Sequence, residues 1–174
     1  MLGVSAFIVA MLTLGLIWFN TSPVPKHIIS VAATESAYRQ AKQMHRAGGS
    51  SGAVPLFRQA LAGRFDDPER RLECMRYLAA ALVRTGRSFE AVGIYRELPE
   101  HMLADTETTV SFITALTDAY EFDEAATRAA TLLETAEADG NRPLADQARR
   151  LQMRITMLEP DVMALRQALA ERFQ

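Results

Sequence analysis

The side chains that most often carry chemistry are few in this sequence, and their spacing fits no catalytic or metal-binding arrangement. The three histidines are His27, His45 and His101, and none has a second ligand one helical turn away. Cys74 is the only cysteine, so the chain has neither an internal disulfide nor a cysteine-based metal cluster. The stretch AGGSSG at 47–52 lacks the lysine of a phosphate-binding loop. We therefore predict no catalytic residue, no metal, no cofactor and no enzymatic activity.

The composition is that of a folded protein without affinity for nucleic acid. Hydrophobic residues make up 49% of the 174 residues and charged residues 23%, which is enough apolar material for one modest domain. The net charge of −2 provides no basic excess to attract a phosphate backbone. We predict protein partners instead.

The amino terminus has the pattern of a membrane segment. Residues 2–19 carry no charge, and at about 1.5 Å per residue these 18 residues span roughly 27 Å, close to the bilayer core. Trp18 and Phe19 end the run, where aromatic rings favour the membrane interface, and Pro23 and Pro25 follow it. We predict a transmembrane anchor at 1–20, a proline-containing linker at 21–26 and a helical domain at 27–174.

Two alternatives stay open for this segment. A cleaved signal peptide would normally have a basic start and an A-x-A-like site, and a buried core helix would have to be apolar on every side. The linker carries only Lys26, without the basic cluster of a cytoplasmic exit. We expect a single-pass protein of a bacterial-type inner membrane with a periplasmic domain. The residues expected to pack the anchor against other helices are Gly3, Ala6, Ala10, Gly15 and Trp18.

The remaining chain predicts an all-α fold. From His27 onward, apolar residues recur at intervals of three and four, and no alternating strand pattern occurs. Asp67, Ser88 and Asp105 are predicted helix N-caps. Breaks between about eight helices are predicted at AGGSSG, GRFDDP, TGRS, LPEH, ADGNRP and the EP of 159–160, and the short loops predict antiparallel neighbours.

One pattern recurs along this domain. SFEAVGIYREL at 88–98 is matched by FDEAATRAATL at 122–132, so that Ala91 and Ala125 lie 34 residues apart (125 − 91). SGAVPLFRQAL at 51–61 has the same form, with Ala53 lying 38 residues before Ala91 (91 − 53). A small residue at this place lets two helices approach closely, while large residues fill the gaps on either side.

Residues 34–135 therefore resemble three units of the tetratricopeptide-repeat family, whose period is 34 residues. The third unit departs from the pattern, because Tyr120 replaces the turn glycine and Ala129 the aromatic residue, so we expect its turn to differ in angle. The resemblance implies an α-solenoid of helix pairs. Its units are about 34–63 (with Ala41, Gly48, Ala53 and Phe57), 67–100 (with Leu78, Ala79, Gly86, Ala91 and Tyr95) and 105–139 (with Phe112, Leu116 and Ala125), followed by a capping helix pair at 142–174. An ordinary helical bundle is the alternative.

The resemblance also implies a concave surface lined by the first helix of each pair. Such a groove could receive an extended peptide or a partner helix, and a merely solvated face is the alternative. We expect Tyr38 and Arg76 to dominate binding and to be removable without loss of stability. The residues placed on this surface are Glu35, Tyr38, Lys42, His45, Glu73, Arg76, Ala80, Val83, Glu107, Val110, Thr114 and Thr117.

These observations predict a non-enzymatic, membrane-anchored interaction scaffold that assists assembly or maturation of a membrane or envelope complex. A permanent accessory subunit of a membrane complex, with its transmembrane helix packed against other subunits, is the alternative.

Overall fold

The computed structural model describes residues 30–172, and this part of the chain is helical with short connections. The helices are α1 (Val31–Arg46), α2 (Ser50–Ala62), α3 (Pro68–Arg84), α4 (Ser88–Glu97), α5 (Glu100–Leu103), α6 (Thr106–Asp118), α7 (Phe122–Ala138) and α8 (Arg142–Arg172). The predicted all-α class is confirmed, since the described residues contain no strand.

The predicted anchor and linker lie outside the described residues, and so do the anchor-packing positions Gly3, Ala6, Ala10, Gly15 and Trp18. Within residues 30–172, no helix combines the length and the apolar character needed to cross a bilayer.

Helix starts follow the local chemistry of the sequence in two of three predicted cases. The Asp67 carboxylate accepts a hydrogen bond from the backbone N–H of Glu69 at 2.9 Å, and Asp105 accepts one from Thr108 at 3.1 Å. Ser88 is not a cap, because Arg87 occupies the cap position of α4. The Ser88 hydroxyl instead donates to the Asp118 carboxylate at 3.2 Å.

The helices form an open array in which each long helix packs against the next one along the chain. In addition, α1, α3, α6 and α8 contact one another in that order, and we call these the inner helices. The outer helices α2, α4 and α7 are bridged by long side chains, as in the ion pairs of Arg58 with Glu90 and of Arg96 with Glu124. The inner helices are therefore closer together, which places them on the concave side.

Small residues alternate with large ones in the core between the helices. Ala53, Ala91 and Ala125, which define the sequence repeat, are fully buried at 0% exposure. Large side chains fill the space beside them, and Phe57, Tyr95, Phe112 and Leu116 belong to the same core. This alternation of small and large residues is the packing that lets two helix backbones approach closely without leaving cavities.

The same turn recurs four times between a helix and its successor. Gly48, Gly86, Tyr120 and Gly140 all adopt a positive φ, between 61° and 88°. In each turn the next residue donates its N–H to the carbonyl five residues back, as Gly49 does to Met44 and Glu121 to Leu116. The expectation of a different angle at Tyr120 is wrong, because this residue takes the left-handed conformation of the glycines.

Two features of the chain were not predicted. A short helix, α5, begins within the predicted break LPEH and ends at Leu103, which is buried. The capping pair at 142–174 is wrong in form, because α8 runs unbroken through Pro160. The ring of Pro160 lies on the exposed side, where water can bond the carbonyl that has lost its N–H partner. Leu158 and Val162, on either side of it, still pack on the core and hold the helix together.

Replacement of a repeat alanine tests the close packing. Ala125→Leu should lower the free energy of unfolding by about 1–3 kcal/mol, because the added carbons have no space at a fully buried site. Ala126→Leu, one residue further along the same helix and exposed, should change it by less than about 0.5 kcal/mol. Urea unfolding of both variants gives the comparison. Equal effects would mean that the crossing at Ala125 is not tightly packed.

Replacement of Tyr120 isolates the energetic cost of its backbone conformation. Tyr120→Gly and Tyr120→Ala both remove the ring, but only glycine adopts positive φ without strain. The glycine variant should therefore be more stable by about 1 kcal/mol. At Ala130, an exposed position within α7, the glycine variant should instead be less stable than the alanine by about 0.5–1 kcal/mol. Thermal or urea unfolding measures both pairs of variants. A Tyr120→Gly variant less stable than Tyr120→Ala would contradict the turn geometry.

Candidate protein-interaction surface

An ion pair joins the first two inner helices on the concave side. Lys42 of α1 donates to the Glu73 carboxylate of α3 at 2.6 Å, and both side chains are about one-quarter exposed. Burial is the largest single influence on the pKa of Glu73 and would raise it. The hydrogen bond from Lys42 and the nearby positive charges of Lys42 and Arg70 act in the opposite direction, and the pKa lies below its ordinary value. The Glu73 carboxylate is therefore ionised at neutral pH, and its ion pair with Lys42 links α1 to α3.

A second polar link joins α3 to the start of α6. Arg76 donates to the Asp105 carboxylate at 2.9 Å and to the Thr108 hydroxyl at 3.1 Å. The same Asp105 oxygen caps the start of α6, so one carboxylate both caps this helix and binds Arg76 of α3. The Nε of Arg76 is buried and has no hydrogen-bond partner within residues 30–172.

Tyr77 lies between these two cations and was not predicted as a site residue. The ammonium of Lys42 is 4.8 Å from its ring centroid and the guanidinium of Arg76 is 4.9 Å away, both within cation–π distance. The ring stacks on Phe57 with an interplanar angle of 6°. Tyr77 thus connects the hydrophobic core to both charged side chains.

A third link extends the series to the last inner helix. Arg154 of α8 donates to the Asp118 carboxylate of α6 at 2.6 Å. The three links together join α1 to α3, α3 to α6 and α6 to α8. Exposed ion pairs contribute little stability individually, so their main effect here is to fix how neighbouring units are aligned.

The structure separates the twelve predicted surface residues into two groups. Nine are exposed or half-buried: Glu35, Lys42, Glu73, Arg76, Ala80, Val83, Glu107, Val110 and Thr114. Tyr38, His45 and Thr117 are buried, at 1%, 4% and 1% exposure, so a partner has no access to their side chains. Tyr38 packs against Phe57 and Phe65, so it cannot be removed without loss of core packing, contrary to the sequence-based expectation.

At the three buried positions, the accessible residue is the one that follows in the sequence. Each buried position is followed by a residue that reaches the surface: Arg39 after Tyr38, Arg46 after His45 and Asp118 after Thr117. Arg84 and Ser111 are the corresponding additions on α3 and α6. The sequence contained this signal, because a long arginine at 39 and 46 is a more probable surface residue than the tyrosine or histidine before it.

The α1 end of this surface carries unpaired positive charge. A shallow cavity of about 330 Å³ is lined by Tyr38, Arg39, Lys42, Gln43, Arg46 and Arg70. Arg39, Arg46, Arg70 and Arg84 form no ion pair with any carboxylate of residues 30–172, although each is exposed. We call Arg39, Arg46 and Arg70, together with Lys42, the basic end of the concave surface.

A larger cavity on another side of the array lacks this property. It has a volume of about 460 Å³ and is lined by Ser51, Val54, Pro55, Arg58, Thr85 and Arg87. Its two arginines share the single carboxylate of Glu90, so each already has an ion-pair partner and only one positive charge is left in excess. Of the two cavities, the one at the basic end is better suited to an anionic partner.

Comparison with protein-family models, with curated proteins and with solved structures finds no match to this chain. The resemblance to tetratricopeptide repeats thus stays a prediction from the sequence.

The buried ionisable groups have environments that suppress reactivity. Burial raises the pKa of Cys74 to about 12, so its thiol stays protonated at neutral pH and is a poor nucleophile. Burial likewise raises the pKa of Tyr95 to about 12, and its hydroxyl donates to Ser111 at 2.8 Å. Residues 30–172 contain no group of three His, Cys, Asp or Glu side chains that could hold a metal ion.

His45 should make stability depend on pH. Burial lowers the pKa of this histidine below its ordinary value of 6.5, nearby Arg84 acts in the same direction and Glu107 opposes them. The folded chain thus binds this proton more weakly than the unfolded chain, so stability should decrease as the pH falls below 6.5. His45→Gln should reduce the loss of melting temperature between about pH 7.5 and about pH 5.5.

The exposed His101→Gln variant is the matched control and should keep the full difference between the two pH values. If both substitutions change this difference equally, or neither does, the buried environment of His45 is not its cause.

Proposed function

We propose that this chain is a non-enzymatic, membrane-anchored interaction scaffold whose concave surface binds a segment of a partner polypeptide. The observation on which this rests is the unpaired basic end. Three exposed arginines lie beside the Lys42–Glu73 pair without a carboxylate partner in the described residues. Arginine binds carboxylates in a planar, two-pronged geometry, so the complementary partner is an extended segment carrying Asp or Glu.

The middle of the same surface supports binding of a chain instead of a small solute. Beyond the basic end, Ala80, Val83, Val110 and Thr114 present small or apolar side chains that are only half-buried. An extended peptide could place its acidic residues at the basic end and its apolar residues along the middle.

The proposed process is assembly or maturation of a membrane or envelope complex, with the domain on the periplasmic side of an inner membrane. The sequence supports the anchor through the uncharged residues 2–19. Anchoring would confine the scaffold and its membrane partners to one surface and so raise their effective concentration. A permanent accessory subunit is the second candidate, because the small residues Gly3, Ala6, Ala10 and Gly15 allow close helix packing in a bilayer.

Affinity purification of the full chain from detergent-solubilised membranes, followed by mass spectrometry, tests this proposal. Arg39→Ala/Arg46→Ala should reduce recovery of the partner by about tenfold or more, which corresponds to roughly 1.4 kcal/mol. Arg64→Ala/Arg142→Ala removes the same number of exposed arginines elsewhere and should leave recovery unchanged. Both double variants should melt within a few degrees of the original chain, since all four residues are exposed.

The stoichiometry of the companion separates the two candidates. A companion present in equal amounts favours a permanent subunit, whereas a smaller amount of incompletely assembled companion favours an assembly factor. If recovery is lost equally in both double variants, the basic end is not the binding surface. A chain that recovers no companion from its native membranes contradicts the scaffold function.

A further inference from the structure

The last helix of the array presents an apolar stripe on the side that faces away from the core. The inner side of α8 packs on α7 through buried Ala145, Ala148 and Ile155. On the opposite side, Met153 and Met157 lie one turn apart at 59% and 66% exposure. Pro160 and Ala164 continue this side and are also exposed. Exposed large apolar side chains aligned along one side of a helix mark a surface that another element covers.

Two opposite charges flank the stripe on one side. Arg150 and Asp161 are exposed, and neither forms an ion pair with a charged group of residues 30–172. Eleven residues are close to three turns of an α-helix, so the two side chains lie on the same side of α8. They are also roughly 16 Å apart along the axis and therefore cannot pair with each other within one chain.

We propose that a second copy of this chain covers this face, with the two α8 helices packed antiparallel about a two-fold axis near residue 155. In that arrangement Met153 contacts Met157 of the second copy, because the two methionines are spaced evenly around the axis. Arg150, which lies five residues before the axis, faces Asp161 of the second copy, which lies six residues after the axis. Two-fold symmetry repeats both contacts, which gives four methionines in one cluster between two ion pairs.

The charge pattern is what favours a second copy over an unrelated protein. In an antiparallel pair of identical helices, a residue a few positions before the two-fold axis in one copy faces the residue as many positions after the axis in the other copy. Both residues lie on the same side of the interface. The stripe carries opposite charges at these two positions and methionine at the two inner ones. An unrelated partner would not require this internal complementarity. From Arg150 to Ala164 the face extends for roughly 21 Å, about four turns of helix.

Native mass spectrometry of the full chain, released from detergent micelles, tests the proposal. The expected species has twice the 19.3 kDa mass of one chain. Arg150→Asp and Asp161→Arg should each weaken the dimer by about tenfold or more, because each places like charges opposite one another twice. The double variant Arg150→Asp/Asp161→Arg restores opposite charges across the axis and should return to within about threefold of the original dissociation constant.

Lysine substitutions provide the second measurement. Met153→Lys should leave mostly single chains, whereas Phe89→Lys, at a side chain 66% exposed on α4, should leave the dimer intact. Thermal unfolding checks that every variant is folded, which is expected because all the substituted residues are exposed. The Arg39→Ala/Arg46→Ala variant should still dimerise, so this inference and the proposed function can fail separately.

Three results would overturn the inference. The first is a full chain that stays monomeric at about 50 µM, since a physiological dimer of this kind has a micromolar or lower dissociation constant. The second is a dimer that survives Met153→Lys and both charge reversals, which would assign the contact to another part of the chain. The third is a double charge-reversal variant whose dimer is no more stable than the dimers of the two single variants, which would exclude the pairing of Arg150 with Asp161.

Discussion

The fold depends on small side chains in its core. Ala53, Ala91 and Ala125 are fully buried and belong to the same core as the large side chains around them. A larger side chain there would push the helices apart and open the core, since protein interiors have little spare volume. Because one such alanine lies in each of α2, α4 and α7, the same requirement for space recurs along the described part of the chain.

The polar groups of the concave side are consequences of this spacing. When inner helices are this close, a lysine or arginine on one reaches a carboxylate on the next, as Lys42 reaches Glu73 and Arg76 reaches Asp105. These links occupy part of the surface, and other arginines there have no carboxylate partner among residues 30–172. The distinction between internally paired and unpaired cations, more than the total charge, identifies the part of the surface that is available for binding.

Sequence reasoning predicted what depends on local chemistry and on repetition. Helix positions followed from breakers, caps and apolar spacing, and the repeat alanines followed from the matching stretches. Three of the twelve predicted surface residues are buried instead, and for Tyr38 this burial depends on Phe65, which comes from a loop 27 residues later (65 − 38). The continuity of α8 was missed because Pro160 is a strong helix breaker locally, whereas packing by Leu158 and Val162 outweighs it. Contacts between segments that are distant in the sequence are not visible in local spacing, although the arginines at 39 and 46 did indicate the accessible side of α1.

The buried thiol of Cys74 can serve as a chemical probe of local unfolding. It lies at 0% exposure in α3, with its sulfur 3.8 Å from the carbonyl oxygen of Phe57 in α2. A maleimide dye added to the folded protein would leave this cysteine unmodified and would label cysteines introduced on the surface. Distances across the array could therefore be measured by fluorescence without first replacing Cys74. Under mild denaturant the same thiol would become reactive only when α2 and α3 separate. Its labelling rate would therefore measure how often the first two helix pairs open, independently of the rest of the array.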